Sequence, residues 1–299
     1  MPVFPMPAID EVTHQKSHEV THRYVTARGV RFHVVESGPA DGEPVVLLHG
    51  FPQHWYAWRH VMPRLAATHR VLALDLRGFG WSEAPKHGYS QASLADDVIA
   101  VLDELGIDTA RIVGHDWGGW VGFVAALRHP ERVRALVSVN MAHLWPIHRR
   151  VLPNLWRMWH TALVEHPPLG RLALRHTGFA GFLLRHWSAD PGLWEREDPR
   201  IYTDLLRDPA RARAGEQVHA AYVWREIFGH PLGRYRKARL TVPTLIIGGE
   251  RDVVIPPAVL KGGERHIDDV RVVVVPGAGH LLPEERPETV TDEVLRFFG

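Results

Sequence analysis

The chain has 299 residues, 45% of them hydrophobic, and its 35 Lys and Arg nearly balance 34 Asp and Glu for a net charge of +1. That length supports one large α/β domain with an insertion, or two ordinary domains, and the balanced charge gives no reason to expect nucleic acid or an acidic surface as partner. The absence of cysteine excludes disulfides, thiol catalysis and cysteine metal sites.

Residues 1–18 read as an N-terminal extension. Met1 to Glu11 lacks a basic start followed by an apolar run, so no signal peptide is expected. No stretch of about 18 apolar residues offers a membrane span. The expectation is a cytoplasmic protein with no membrane partner. Glu19 to Thr26 and Val30 to Glu36 alternate polar and apolar residues around Ala27-Arg28-Gly29, which predicts a β-hairpin. Pro44 to Leu48 is a short apolar run and predicts a buried strand. A helix is expected over Trp55 to Ala67, a strand over Arg70 to Leu74 and a helix over Leu94 to Leu105. A strand over Ala110 to Val113, a helix over Trp117 to Arg128 and a strand over Val133 to Val139 follow.

This alternation predicts a parallel sheet covered on both faces. It stops between Met141 and Arg239, where helix-like stretches rich in Trp, Arg and His are punctuated by Pro167-Pro168, Pro191-Gly192 and Pro231. It resumes with a strand over Thr244 to Ile247, a helix near Pro257 to Gly262, a strand over Val270 to Val275 and a helix over Glu288 to Phe298. The predicted organisation is an α/β core over 19–140 and 240–299, interrupted by a helical insertion over 141–239.

The strongest chemical signal is Gly114-His115-Asp116-Trp117-Gly118. A strand enters it and a helix leaves it, which is the setting of the G-x-S-x-G nucleophile elbow. Here the middle residue is Asp116. Alone, an Asp before a helix is usually an N-cap. His280 follows the last strand, where the third member of a nucleophile, acid, histidine order belongs. Asp252 lies just past the Thr244–Ile247 strand, at a strand end where catalytic residues of open sheets gather. It can orient His280. Glu250 is its local competitor, and the alternative acid position after Val139 holds Asn140. In His49-Gly50-Phe51-Pro52, the Phe51 amide can pair with that of Trp117 as an oxyanion hole.

Together with Asp75-Leu76-Arg77-Gly78-Phe79-Gly80, these motifs resemble the α/β-hydrolase-fold epoxide hydrolases, which are related to the haloalkane dehalogenases. The resemblance runs from about residue 20 to the end. It implies an eight-stranded, mostly parallel sheet flanked by helices, with the insertion as a helical cap. It also implies a cofactor-independent hydrolase of ether bonds that turns a small apolar epoxide and water into a diol, as a monomer or homodimer. Asp116 is the implied nucleophile, forming an alkyl ester that water activated by His280 and Asp252 hydrolyses.

Two cap tyrosines usually serve the epoxide oxygen in that family. Tyr202, Tyr222 and Tyr235 are present in the insertion. Tyr222 has a suitable spacing from Asp252, in an expected helix over His219 to Arg225, and another register would place His219 there. The first tyrosine is not evident, and His160 is the candidate replacement. Trp117, Phe51 and Trp159 are expected to line an apolar substrate pocket. The rivals are a haloalkane dehalogenase, with Trp117 and Trp159 or Trp187 holding a halide, and a non-catalytic ligand-binding homologue. A serine esterase is disfavoured because Ser82 lies in the Gly80-Trp81-Ser82 loop, away from any strand-to-helix elbow.

Overall fold

The computed structural model describes residue 9 and residues 20–145, 147–190, 192–196, 198–222 and 235–299. The expected extension over 1–18, apart from residue 9, and the expected continuation of the Tyr222 helix into 223–225 lie outside these residues.

Eight strands form one sheet: β1 (Thr21–Ala27), β2 (Val30–Ser37), β3 (Glu43–Leu48), β4 (His69–Leu74), β5 (Ala110–His115), β6 (Val133–Val139), β7 (Thr244–Gly249) and β8 (Val270–Val275). Their order is β1-β2-β4-β3-β5-β6-β7-β8. The hairpin pair and the β2–β4 pair are antiparallel, and all other pairs are parallel. Val45 to Leu48 and Ile112 to His115 are wholly buried, which is why the central strands read as unbroken apolar runs.

Chain order gives α1 (Met62–Leu65), α2 (Gln91–Glu104) and α3 (Trp117–Arg128) before the insertion. α2 starts where the Ser90 hydroxyl accepts the Ser93 N–H, an N-cap that satisfies one of the orphan donors of the first turn. α3 buries every residue from Trp117 to Ala126. The helix expected over Trp55 to Ala67 is instead a 3-10 turn (Trp55–Trp58) followed by the short α1. Pro63 is the reason: it cannot donate to a helix already under way but suits the first turn of a new one. The helix expected near Pro257 to Gly262 is likewise two 3-10 turns (Pro257–Val259 and Gly263–Arg265), parted by Gly262 at φ 109°.

Between β6 and β7 the described residues hold helices and no strand. They are α4 (His148–Val151), α5 (Trp159–Val164), α6 (Leu169–His176), α7 (Phe179–Trp187), α8 (Leu193–Arg196), α9 (Arg200–Thr203) and α10 (Pro209–Ala221), with a 3-10 stretch over Leu152–Met158. The chain returns to the sheet and ends in α11 (Leu282–Glu285) and α12 (Pro287–Phe298). Among the described residues, no helix is long and apolar enough to cross a membrane.

Candidate active site

β5 ends at His115 and α3 begins at Trp117, so the chain reverses at Asp116, whose φ of 48° and ψ of −119° lie outside the ordinary regions for a side-chain-bearing residue. Two glycines permit this. A Cβ on Gly114 would lie 2.2 Å from the Gly118 carbonyl oxygen, and one on Gly118 would lie 2.1 Å from that of Leu48. Asp116 occupies the N-cap position of α3 but its side chain makes no capping bond. Its Oδ2 instead accepts the Phe51 N–H at 2.9 Å. Burial pushes the Asp116 carboxyl up to about 6, against the pull of the His280 charge and the Phe51 and Trp117 amides.

On the other side of the carboxylate, His280 Nε2 stands 3.8 Å from Asp116 Oδ1. His280 Nδ1–H donates to Asp252 Oδ2 at 2.9 Å. Burial lowers the His280 pKa, but the charge and hydrogen bond of Asp252 and the charge of Asp116 outweigh it, so the net shift is upward. Asp252 is held in turn: its Oδ1 accepts the amides of Val254 and Ile255 at 2.7 and 2.8 Å. Asn140 Nδ2 donates to Asp252 Oδ2 at 2.8 Å and to the Gly279 carbonyl at 3.1 Å. The position weighed as an alternative acid thus holds a clamp on the acid. Glu250, the local competitor, points away and accepts the exposed Gly277 N–H. His115 was not singled out from the sequence, yet its Nε2–H donates to the His280 carbonyl at 2.8 Å.

A cavity opens over Asp116 and His280, walled by the apolar Trp117, Met141, Met158, Trp187, Val254 and Ile255 and by the polar His160, Thr161, His219 and Tyr222. Tyr222 packs edge-on to the Trp117 and Trp120 rings at 4.6 and 5.0 Å. His160 meets the Trp187 ring at 4.9 Å, and burial drives its pKa down to about 3, so it is neutral. Burial also lowers His219, to about 4. The His219 Nδ1–H donates to the Gly215 carbonyl at 2.7 Å, so in the neutral ring Nε2 is an acceptor.

Two expected pocket residues sit elsewhere or act differently. Trp159 is 43% exposed and packs against Phe179 and Phe182; Trp187 takes the wall position. The Phe51 ring is buried behind His219, 4.6 Å away, so it is the Phe51 amide that reaches the site. Tyr202 is buried in a network with Glu284 and Arg59, and the Tyr235 carbonyl accepts the Trp145 indole. Ser82 is also structural, donating to the Asp75 carbonyl at 2.6 Å. Among the described residues, no group of three or more His, Asp or Glu is arranged to hold a metal.

Known proteins carry the same architecture. Residues 43–287 match the family model of the alpha/beta hydrolase fold. A soluble epoxide hydrolase of Corynebacterium sp. (strain C12) is 34% identical, over 95% of this chain and 99% of its own length. The structure of the epoxide hydrolase CorEH without ligand is 32% identical with a TM-score of 0.74, covering 94% of this chain and 99% of that one. The crystal structure of Cfl2 from Burkholderia cenocepacia is 31% identical with a TM-score of 0.81, covering 93% and 95%. The fold and family expected from the motifs are borne out, and the chain belongs to the α/β-hydrolase-fold epoxide hydrolase family.

Proposed function

We propose that the protein opens an apolar epoxide to a vicinal diol through a covalent ester on Asp116, with the helices over 141–239 acting as the cap that encloses the substrate. The observation that carries this is the two-sided placement of one carboxylate. Oδ2 rests on the Phe51 amide while Oδ1 faces His280.

A carboxylate suits displacement at a saturated carbon bearing a leaving group. Asp116 Oδ1 attacks a ring carbon, the ring C–O bond breaks, and its electron pair goes to the epoxide oxygen. That oxygen takes a proton from the Tyr222 hydroxyl, with neutral His160 as a second hydrogen-bond donor. His219 is the weaker donor because its only ring proton is committed to Gly215. Water then attacks the ester carbon and gives a proton to His280 Nε2. The oxyanion is held by the Phe51 and Trp117 amides, where losing one donor typically costs about 2.7–4 kcal/mol. The acyl C–O bond breaks and the departing alkoxide takes the proton from His280. The acid left on Asp116 releases its proton, which restores Tyr222.

The two half-reactions are coupled through charge. The ionised Asp116 helps hold the His280 pKa up. Ester formation removes that negative charge, so the His280 pKa falls, a proton held on the ring passes to solvent, and Nε2 is the free base the second step needs.

The test is one panel of aryl and alkyl epoxides and bromoalkanes. Diol formation is expected, with ester formation failing as pH drops below about 6 because Asp116 must be ionised. In His280→Gln, the peptide carrying Asp116 should gain the mass of the substrate. The second reading, a haloalkane dehalogenase, draws on the two tryptophans, Trp117 and Trp187, that wall the cavity. Halide release with no diol would select it. Neither product would leave the non-catalytic homologue.

A further inference from the structure

His280 sits on a loop between β8 and α11, and regular sheet pairing does not fix its position. Three backbone N–H groups around it converge on one buried side chain. Glu285 Oε2 accepts the Gly279 N–H at 3.0 Å and the Ala189 N–H at 3.0 Å, and Oε1 accepts the Leu281 N–H at 3.2 Å. Gly279 and Leu281 flank His280 on either side, whereas Ala189 follows α7 in the cap. A fourth bond closes the same seam: the His280 N–H donates to the Trp187 carbonyl at 2.9 Å.

The two segments touch too closely for a side chain between them. A Cβ on Gly279 would lie 2.5 Å from the Ala189 nitrogen and 2.7 Å from both Glu285 Oε1 and the Trp187 carbonyl oxygen. Glu285 is 7% exposed. A carboxylate buried to that degree is tolerated only when its oxygens are well satisfied, and three amides do this.

We propose that Glu285 is a positioning residue that fixes the His280 loop and the Trp187 end of the cap as one unit, so that the base and the cavity wall keep their register. It touches no reacting atom. Its effect on the proposed reaction falls on ester hydrolysis, the half that depends on where His280 Nε2 stands. The groups facing the His280 ring are Asp252, Asp116, His115 and His160, with Glu285 behind the loop. Glu285 adds to the negative charge that favours protonated His280. Removing it therefore lowers the His280 pKa and moves the acid limb of hydrolysis to lower pH.

Glu285→Gln keeps the shape, and Glu285→Ala removes the strap. Amide exchange of the full chain is expected to rise together at Gly279, Leu281 and Ala189 in both variants, at unchanged global protection. Unchanged exchange at these three amides overturns the proposal, whatever the substrate. The kinetic consequence rests on the proposed roles of Asp116 and His280. Single-turnover measurements with an aryl epoxide should show hydrolysis slowed about 10- to 100-fold in Glu285→Gln and ester formation changed much less. The acid limb of hydrolysis should move down in pH. Equal slowing of both steps with the limb unmoved reduces Glu285 to a structural staple and overturns the positioning role. If the wild type forms no ester on Asp116, the reading of the reaction falls, while exchange still decides the strap.

Discussion

The core and the cap build their halves of the site by different means. In the core, Asp116 stands directly beyond the end of β5, a strand paired to its neighbours by backbone ladders, with Asp252 and His280 in the loops past β7 and β8. In the proposed cap the described α-helices run from four to thirteen residues and meet the core mainly through side chains. Arg59 donates to the Tyr202 hydroxyl at 3.2 Å, Arg211 donates to the Gly80 and Ser82 carbonyls, and His54 bonds the Ile201 carbonyl. A ladder places a residue through many bonds at once, and a single side-chain contact can be exchanged one substitution at a time. The difference teaches that the proposed nucleophile is constrained by the fold, while the groups proposed to meet the leaving oxygen are matters of local packing.

Breaking the core side should have the largest effect. Asp116→Ala is expected to lower turnover about 10,000-fold or more while the fold persists, because groups that act as a unit lose nearly everything with one member. Rates near wild type would sink the proposed reaction. On the cap side, Tyr222→Phe should lower ester formation by about 100-fold, within the range of a general acid, and His219→Gln by about threefold or less. The reverse order in single-turnover rates would assign the proton to His219.

A smaller effect, on stability, tests the core just past the end of β4. Asp75 accepts the Trp55 and Trp81 amides at 2.7 and 2.9 Å and the His33 ring at 2.8 Å. Burial pushes its carboxyl up, but the hydrogen bond and charge of His33, with the charges of His54 and His49, bring it down to about 2. A depressed folded-state value means the contribution is complete above the unfolded value and is lost as pH falls through about 2. Asp75→Asn should therefore lower stability by about 2 kcal/mol near neutrality. The gap to wild type in denaturant melts should close toward pH 2.

The sequence makes the core side legible because its chemistry is local. Asp116 sits between a strand and a helix that declare themselves by pattern, and Gly114 and Gly118 mark the tight turn. The cap side depends on which face of each helix turns inward. The Leu152–Met158 stretch is a 3-10 helix with Pro153 in its first turn, so Trp156 and Trp159 face outward at 67% and 43% exposure. Nothing in a linear pattern signals that phase change. Glu285 was missed for a related reason, and Trp187 was read only as a halide holder: the seam they share joins two segments about 90 residues apart at Gly279. Asn140 was visible as a position but not as a clamp, because its partner lies on another strand end.

The two oxygens of Asp116 are inequivalent, one pinned to an amide and one facing His280, and the proposed reaction gives each atom a different fate. Oδ1, once bonded to substrate carbon, leaves with the diol when water breaks the acyl bond. Each turnover of the proposed reaction would therefore export an oxygen from the protein and replace it with one from solvent. A single turnover in isotopically heavy water yields unlabelled diol and a labelled aspartate, and label enters the product only from the second turnover onward.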